Sequence, residues 1–144
     1  WTVQLRAAMD AAGFNATRLV APDGGYDPEI VDLARSDAAF RAALEGGGVG
    51  VHYPCYLIRP EVQDAGLKLW STEDHGVAAD WEGAACLGRT LNRNFLHMNV
   101  TSTLARTLVW SVYRDFTDEA DGLMDAFEPW SGRYQVRSPV WVMA

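Results

Sequence analysis

The stretch that decides the fold reads Leu67-Lys-Leu-Trp-Ser-Thr-Glu-Asp-His75. Its apolar residues alternate with other residues up to the tryptophan, as in a β-strand, and a dense cluster of polar side chains follows immediately. Two further short strands end in the same way, at Asp23 and at His52-Tyr53. Both (β/α)8 barrels and open α/β sheets bind ligands at the carboxyl ends of their strands. These polar strand ends therefore predict a site along one edge of a sheet.

Outward from this stretch, helical and strand patterns alternate. Apolar spacing and capping signals predict helices that begin or run at the following places: Val3–Gly13, after the N-cap Asp27, after the N-cap Asp37, and Trp81–Met98. β-Branched and aromatic runs predict four strands: Thr17–Ala21, Val49–Tyr53, Leu67–Glu73 and Thr101–Tyr113. Strands separated by helices predict parallel β-α units. Four of them fit a small doubly wound sheet or half of a (β/α)8 barrel, and the polar strand ends favour the barrel.

Composition excludes several classes of protein. Of the 144 residues, 49% are hydrophobic, which excludes a disordered chain. Basic residues number 12 and acidic residues 19, a net charge of −7. Lys68 is the single lysine and the arginines are scattered, so a nucleic-acid partner is not expected. No apolar run approaches the roughly 20 residues that span a bilayer, so a transmembrane segment is not expected either.

Glu73 carries the strongest chemical signal. A carboxylate fixed at a strand end can act as a nucleophile or a base, whereas the alternative is a solvated loop acid beside a solvated Asp74. His52 and Tyr53 end the preceding strand, where they could bind a sugar hydroxyl or orient Glu73. Their alternative role is a partly buried pair that hydrogen bonds only to the backbone.

Other polar and aromatic positions carry weaker signals. The set His52, Cys55, Asp74 and His75 has no recognised metal-ligand spacing, so we predict neither a metal nor another cofactor. Two N-glycosylation sequons begin at Asn15 and Asn99, and they are compatible with a secretory route. The acidic run Asp115–Asp125 is expected to be solvated. Four tryptophans are expected to pack in the interior, and one of them, if exposed, would fit a sugar platform: Trp70, Trp110, Trp130 and Trp141.

From Lys68 to Asp74 the sequence resembles glycoside hydrolase family 59, the galactosylceramidases. Further segments resemble the family in the same order: Gly50–Pro54, Gly83–Arg89 with Leu91–Asn94, Thr101–Ala105, Asp121–Met124, Glu128–Gly132 and Ser138–Val142. The resemblance implies that residues 1–144 form part of a catalytic (β/α)8 barrel, its C-terminal half with strands five to eight, and no complete second domain. It also implies that Glu73 is the catalytic nucleophile and that the acid/base glutamate lies upstream of Trp1. The isolated chain is therefore expected to be inactive.

Two departures from the family pattern bear on specificity. Where the family has a tryptophan that lines the sugar site, this chain has Arg106, which can hydrogen bond hydroxyls but offers no apolar platform. Cys86 aligns with a cysteine that in the family pairs with one in a later domain, so here it is expected to be unpaired unless it bridges Cys55. Cys55 itself stands where the family usually has glycine.

The function implied is that of a retaining glycosidase, which removes β-galactose from galactosylceramide-type glycosphingolipids through Glu73, with His52, Tyr53 and Arg106 binding substrate. Two alternatives stay open: another retaining barrel glycosidase, acting on glucosylceramide or a galactan, or a non-catalytic carbohydrate-binding fragment. The resemblance also implies a lysosomal or secreted location. It leaves room for a lipid-presenting activator protein as a partner.

Overall fold

The structure is a computed structural model that describes residues 1–54, 64–75, 78–113 and 122–144. The chain divides into two compact units, which are described separately. The first unit comprises Trp1–Thr72 and Asn94–Thr103, and the second comprises Glu73–Arg93 and Leu104–Ala144. Cys55 and residues 115–121 of the acidic run lie outside the described residues.

Three helices open the first unit: α1 (Thr2–Ala11), α2 (Pro28–Ser36) and α3 (Ala38–Ala43). Both predicted caps are confirmed. The Asp27 carboxylate accepts the Glu29 N–H at 2.9 Å, and the Asp37 carboxylate accepts the N–H groups of Ala39 and Phe40. Such caps satisfy N–H groups that have no partner within the helix, which explains why the helices begin where the sequence predicted.

The sheet of the first unit has the order β1-β2-β3, with β1 at Val49–His52, β2 at Leu69–Asp74 and β3 at Val100–Ala105. One buried cluster joins these strands to α2, and its members are Val31, Val49, Val51, Leu69, Met98 and Val100. A second cluster joins α2 to α3 through Ala34, Phe40 and Leu44. Three of the four predicted strands are thus confirmed at least in part. The polar residues predicted at the strand ends come directly after buried residues in the chain.

The prediction of a strand at Thr17–Ala21 is wrong. In this segment Val20 makes a single parallel bridge with Gly48, supported by Ala21 N–H donating to the Gly48 carbonyl at 3.0 Å. The peptide bond to the next residue, Pro22, is cis, and the Val20 bridge stands isolated rather than beginning a ladder.

The longest helix of the chain's described part is α4 (Trp81–Leu96), close to the predicted range. Its start is fixed by the Asp80 carboxylate, which accepts the N–H groups of Glu82 and Gly83 at 2.9 and 3.0 Å. Leu87 lies fully buried on its inner face. Within the described residues, no helix is both long and apolar enough to cross a membrane.

The predicted strand Thr101–Tyr113 is two strands that belong to different sheets. After β3 ends, β4 (Val109–Val112) pairs in parallel with β5 (Met124–Phe127), and β5 pairs antiparallel with β6 (Arg133–Val136). The new pairing begins at Thr107, whose carbonyl accepts the Leu123 N–H at 2.8 Å. A 3₁₀-helix (Pro129–Ser131) and α5 (Val140–Met143) complete the second unit, whose sheet was not predicted from the sequence.

Several burial predictions are wrong in the second unit. Trp130 and Trp141 are 75% and 64% exposed rather than packed in the interior, and Trp110 is half-buried. Trp70, in the first unit, is also half-buried. Asp125, expected to be solvated, is 0% exposed at the centre of the sheet, where Arg137 Nε donates to its carboxylate. Hydropathy alone cannot locate such a residue, because its burial depends on an arginine 12 residues away.

Candidate active site

The first polar group lies at the end of β1. His52 Nε2 is 3.0 Å from Asp23 Oδ1, and an ionised carboxylate only accepts hydrogen bonds. His52 Nε2 therefore carries the hydrogen and donates it to Asp23. The His52 N–H of the backbone also donates to the Gly24 carbonyl at 2.7 Å, so two bonds hold the end of β1 against the Pro22–Gly25 turn.

Thr72, on the neighbouring strand β2, completes this group. Its hydroxyl hydrogen bonds the Asp23 carboxylate, and this bond, followed by the bond from His52, lowers the pKa of Asp23 below 3.8. The hydroxyl also lies 3.4 Å from the Val51 carbonyl, a long contact. Asp23 is therefore held as an anion by two neighbours, although its side chain is 69% exposed.

Gly50 allows these segments to approach one another. A Cβ at this position would lie 2.9 Å from three atoms: the Pro22 carbonyl oxygen, a Val20 methyl and the Thr72 methyl. Any side chain would therefore push apart the segment that precedes Asp23 and the strand that carries Thr72. A glycine within a strand pattern was the available sequence signal for this close approach.

Tyr53 follows directly and has φ = +51°, in the left-handed region that non-glycine residues seldom occupy. Its ring meets that of His52 edge to face, with centroids 6.0 Å apart. Residues in this backbone region concentrate at functional sites because the surrounding structure must hold them there. The predicted pair His52 and Tyr53 is thus together at the end of β1, beside Asp23.

The second polar group lies in the second unit and consists of Glu73 and Arg106. Arg106 Nη1 donates to Glu73 Oε1 at 3.2 Å. The Glu73 side chain is 26% exposed and that of Arg106 40% exposed, so both are accessible from solvent while paired. Both residues were predicted to belong to a site, but their contact with each other was not predicted.

The backbone fixes this pair. The Arg106 N–H donates to the Asp74 carbonyl at 2.7 Å, which ties the residue after β3 to the end of β2. Asp74 is 1% exposed, so the alternative of a solvated aspartate next to Glu73 is wrong. The buried neighbour Asp74 and the bond from Arg106 give Glu73 a defined position, which a nucleophile or a base requires.

Further polar side chains lie outside these two groups. Within the described ranges, no group of three or more His, Cys, Asp or Glu side chains is arranged to hold a metal ion. Cys86 is a half-buried free thiol on α4. Asn94 on α4 donates to the Thr103 hydroxyl at 3.1 Å, a buried contact that sequence reasoning missed.

Sequence comparison assigns the whole chain to one protein family. The family model described as glycosyl hydrolase family 59 matches residues 1–144. A galactocerebrosidase of Danio rerio is 40% identical over 140 residues, covering 97% of this chain and 21% of that protein. The galactocerebrosidases of Mus musculus and Homo sapiens are 37% and 36% identical over 98% and 97% of this chain, and 20% of each of theirs. The chain thus spans about a fifth of the length of these relatives.

Comparison with solved structures shows the fold. A glycoside hydrolase family 30 subfamily 8 xylanase from Clostridium acetobutylicum superposes with a TM-score of 0.68 at 15% identity, covering 99% of this chain and 33% of that one. The catalytic domain of a family 30 xylanase from Talaromyces cellulolyticus gives 0.67 at 16% identity, over 98% and 33%. The chain therefore has an α/β fold similar to part of these glycosidases.

Proposed function

The chain belongs to glycosyl hydrolase family 59, and on this basis we propose that it contributes the nucleophile of a retaining β-galactosidase that acts on galactosylceramide-type glycosphingolipids. The observation that carries the proposal is the similarity to galactocerebrosidases along 97% of the chain, together with an accessible carboxylate, Glu73, held at the end of β2. A solved-structure likeness at 15% identity supports the α/β fold and not the substrate.

In this proposal Glu73 attacks the anomeric carbon and forms a covalent glycosyl-enzyme, which water then hydrolyses. A second carboxyl group, about 5–5.5 Å from the nucleophile in retaining enzymes, protonates the leaving oxygen and later activates the water. We assign that group to a glutamate upstream of Trp1. The 144 residues then form the C-terminal half of the catalytic barrel and, expressed alone, are inactive.

His52, Tyr53 and Arg106 are proposed to bind the sugar. A phenol and a guanidinium can donate hydrogen bonds to hydroxyl groups, and an imidazole that donates its N–H to Asp23 can accept one from a hydroxyl group at its second nitrogen. The Asp23 carboxylate supports this role for His52, because it holds the ring by one nitrogen and so fixes its orientation. The buried Asp74 supports Glu73 in the same way, since its carbonyl holds Arg106 beside the carboxylate.

A lysosomal or secretory location is part of the proposal. Asn15 and Asn99 are exposed, so both sequons are accessible to glycosylation. The net charge of −7 is compatible with an acidic compartment. A glycosphingolipid substrate embedded in a membrane also gives a role to a lipid-presenting activator protein, which we propose as a partner.

Labelling of the full-length protein with a 2-deoxy-2-fluoro-galactosyl fluoride tests this function. The reagent should form a stable ester with Glu73, and Glu73→Gln should abolish both the label and galactosidase activity while leaving the protein folded. Glu82→Gln, an exposed glutamate in the first turn of α4, is the matched control and should keep full activity. A label on Asp74 or Glu128 would overturn the assignment.

A further inference from the structure

Arg106 bonds the very carboxylate that changes its charge during the proposed reaction. The distance from Arg106 Nη1 to Glu73 Oε1 is 3.2 Å, and a hydrogen bond between two charged groups is roughly twice as strong as one between neutral groups. The contact is therefore stronger while Glu73 is a carboxylate than after Glu73 has become an ester.

The backbone holds Arg106 in this place from both sides. On one side its own N–H donates to the Asp74 carbonyl at 2.7 Å, and on the other the Thr107 carbonyl accepts the Leu123 N–H at 2.8 Å. Arg106 follows β3 immediately and cannot move far while these bonds persist. The backbone of Arg106 therefore keeps its place, which leaves the guanidinium within reach of Glu73 in both steps.

In the first step a Glu73 oxygen forms a bond to the anomeric carbon, and the bond from that carbon to the aglycone oxygen breaks. The leaving oxygen takes the electron pair and a proton from the acid/base carboxyl group of the full-length protein. The ester that forms is neutral, so the guanidinium loses the opposite charge that it faced. By stabilising the reactant carboxylate, Arg106 opposes this step.

In the second step water loses a proton to the same acid/base group, and its oxygen bonds to the anomeric carbon. The bond between that carbon and Glu73 breaks, and the electron pair returns to Glu73 as a carboxylate. The developing negative charge lies beside Arg106. Because a fixed positive charge stabilises a charge that develops in the transition state, Arg106 favours this step.

We propose that Arg106 is a positioning residue that promotes release of the sugar from Glu73, the second half of the reaction, at the expense of the first. This inference rests on the proposed function, since it requires Glu73 to be the nucleophile. It differs from sugar binding by Arg106, because the residue acts through the leaving carboxylate and not through the substrate.

The test uses 2,4-dinitrophenyl β-galactoside and the full-length protein. With so good a leaving group the first step is fast, and hydrolysis of the glycosyl-enzyme limits kcat. Because Arg106 opposes the first step, Arg106→Gln should lower kcat about tenfold and lower KM by a larger factor, so that kcat/KM rises. The trapped 2-fluorogalactosyl enzyme should also regain activity about tenfold more slowly.

Two further variants make the result decisive. Arg106→Lys keeps a positive charge and should restore part of kcat and shorten the lifetime of the trapped enzyme. Arg35→Gln removes an arginine that faces Asp32 at 3.8 Å on α2, an exposed pair outside the site, and should behave as the wild type.

The inference is overturned if Arg106→Gln lowers kcat/KM as much as kcat, or if the trapped enzyme recovers at the wild-type rate. If Arg106→Gln does not fold, the same comparison made with Arg106→Met, which also removes the charge, decides. Failure of the proposed function looks different, because the fluorosugar then labels another residue or none.

Discussion

Asp23 and His52, 29 residues apart in the chain, are joined by a side-chain hydrogen bond of 3.0 Å. The Thr72 hydroxyl bonds the same carboxylate from β2, so side chains from three separate segments meet at Asp23. Each partner stabilises the ionised form of the carboxyl group, which is why the pKa of Asp23 lies below its ordinary value of 3.8. The arrangement links the orientation of the His52 ring to the protonation of an exposed acid.

Replacing Thr72 by valine should raise the pKa of Asp23 towards 3.8, because the largest contribution to its lowering is the Thr72 hydrogen bond. A group with a lowered pKa stabilises the fold above its unfolded value, and this contribution is lost as pH falls through the folded value. The urea midpoint of Thr72→Val should therefore fall below that of the wild type above about pH 4, and the difference should shrink at lower pH.

Thr72→Ser is the matched control, because it keeps the hydroxyl and loses only a methyl group. Its midpoint should follow the pH dependence of the wild type. A difference between Thr72→Val and the wild type that is constant from pH 6 to pH 3 would mean that lost packing, and not the bond to Asp23, causes it.

Gly50→Ala should disturb the same group by a steric route. The added Cβ meets the Pro22 carbonyl oxygen at 2.9 Å, and backbone cannot yield as a side-chain end can. We expect a loss of about 1–3 kcal/mol in the free energy of unfolding, the usual cost of overpacking, and weaker substrate binding through displaced Asp23 and His52. Thermal melting and KM for an aryl galactoside measure the two effects.

Gly25→Ala provides the comparison for Gly50→Ala. It introduces the same methyl group into the adjoining turn, where nothing lies within 4 Å of the new atom. Its melting temperature and KM should stay at the wild-type values. Equal effects of the two substitutions would show that the close approach at Gly50 is not what constrains this edge of the sheet.

The confirmed parts of the fold are those that local signals determine. Asp27 and Asp37 cap their helices through N–H groups two or three residues further on, so a short window of sequence contains both partners. The break at Arg106 was not predictable in this way. The run from Thr101 to Tyr113 is β-forming throughout, and the chain changes sheets because Thr107 finds a partner at Leu123, in a segment that no local pattern identifies.

In the candidate site, too, the features that local sequence determines were predicted, and the contacts between distant residues were not. Polar residues after apolar strands marked Asp23, His52 and Glu73, since the alternation that makes a strand also shows where it ends. The contacts could not be read from the sequence, because Arg106 reaches Glu73 across 33 residues and Asp23 reaches His52 across 29. The family resemblance, and not the residue pattern, supplied the distinct role of Glu73.

Arg106→Trp tests the proposed contact of this residue with the sugar. An indole offers an apolar face to a pyranose, which a guanidinium does not, so the ratio of kcat/KM for galactoside over glucoside should rise. A single contact typically contributes about 1–3 kcal/mol of discrimination, and we expect a change in that range. Arg106→Gln also loses the bond to Glu73 but gains no indole, so its ratio should not rise. Equal ratios in both variants would mean that residue 106 does not face the sugar.

The buried pair in the second sheet gives a stability prediction independent of the site. Asp125 is 0% exposed in β5, and Arg137 Nε donates to Oδ2, while Oδ1 has no hydrogen-bond partner among the described residues. Arg137→Met should leave the buried Asp125 carboxylate without its ion-pair partner. The free energy of unfolding should fall by about 3–5 kcal/mol, because removal of one partner leaves the other charge uncompensated. Replacing both residues, as Asp125→Leu with Arg137→Met, should recover much of that loss, since the charge is removed as well.

Arg133→Met is the control for this pair, because it makes the same change on β6 at an exposed arginine that lies over the Phe127 ring, 5.9 Å from its centroid. It should cost only about 0.5–1 kcal/mol, as an exposed cation–π contact does. Urea denaturation of the full-length protein, followed by fluorescence and by limited proteolysis of this unit, measures all four proteins. If the double variant is as unstable as Arg137→Met, the loss comes from packing by the arginine stem and not from an uncompensated charge on Asp125.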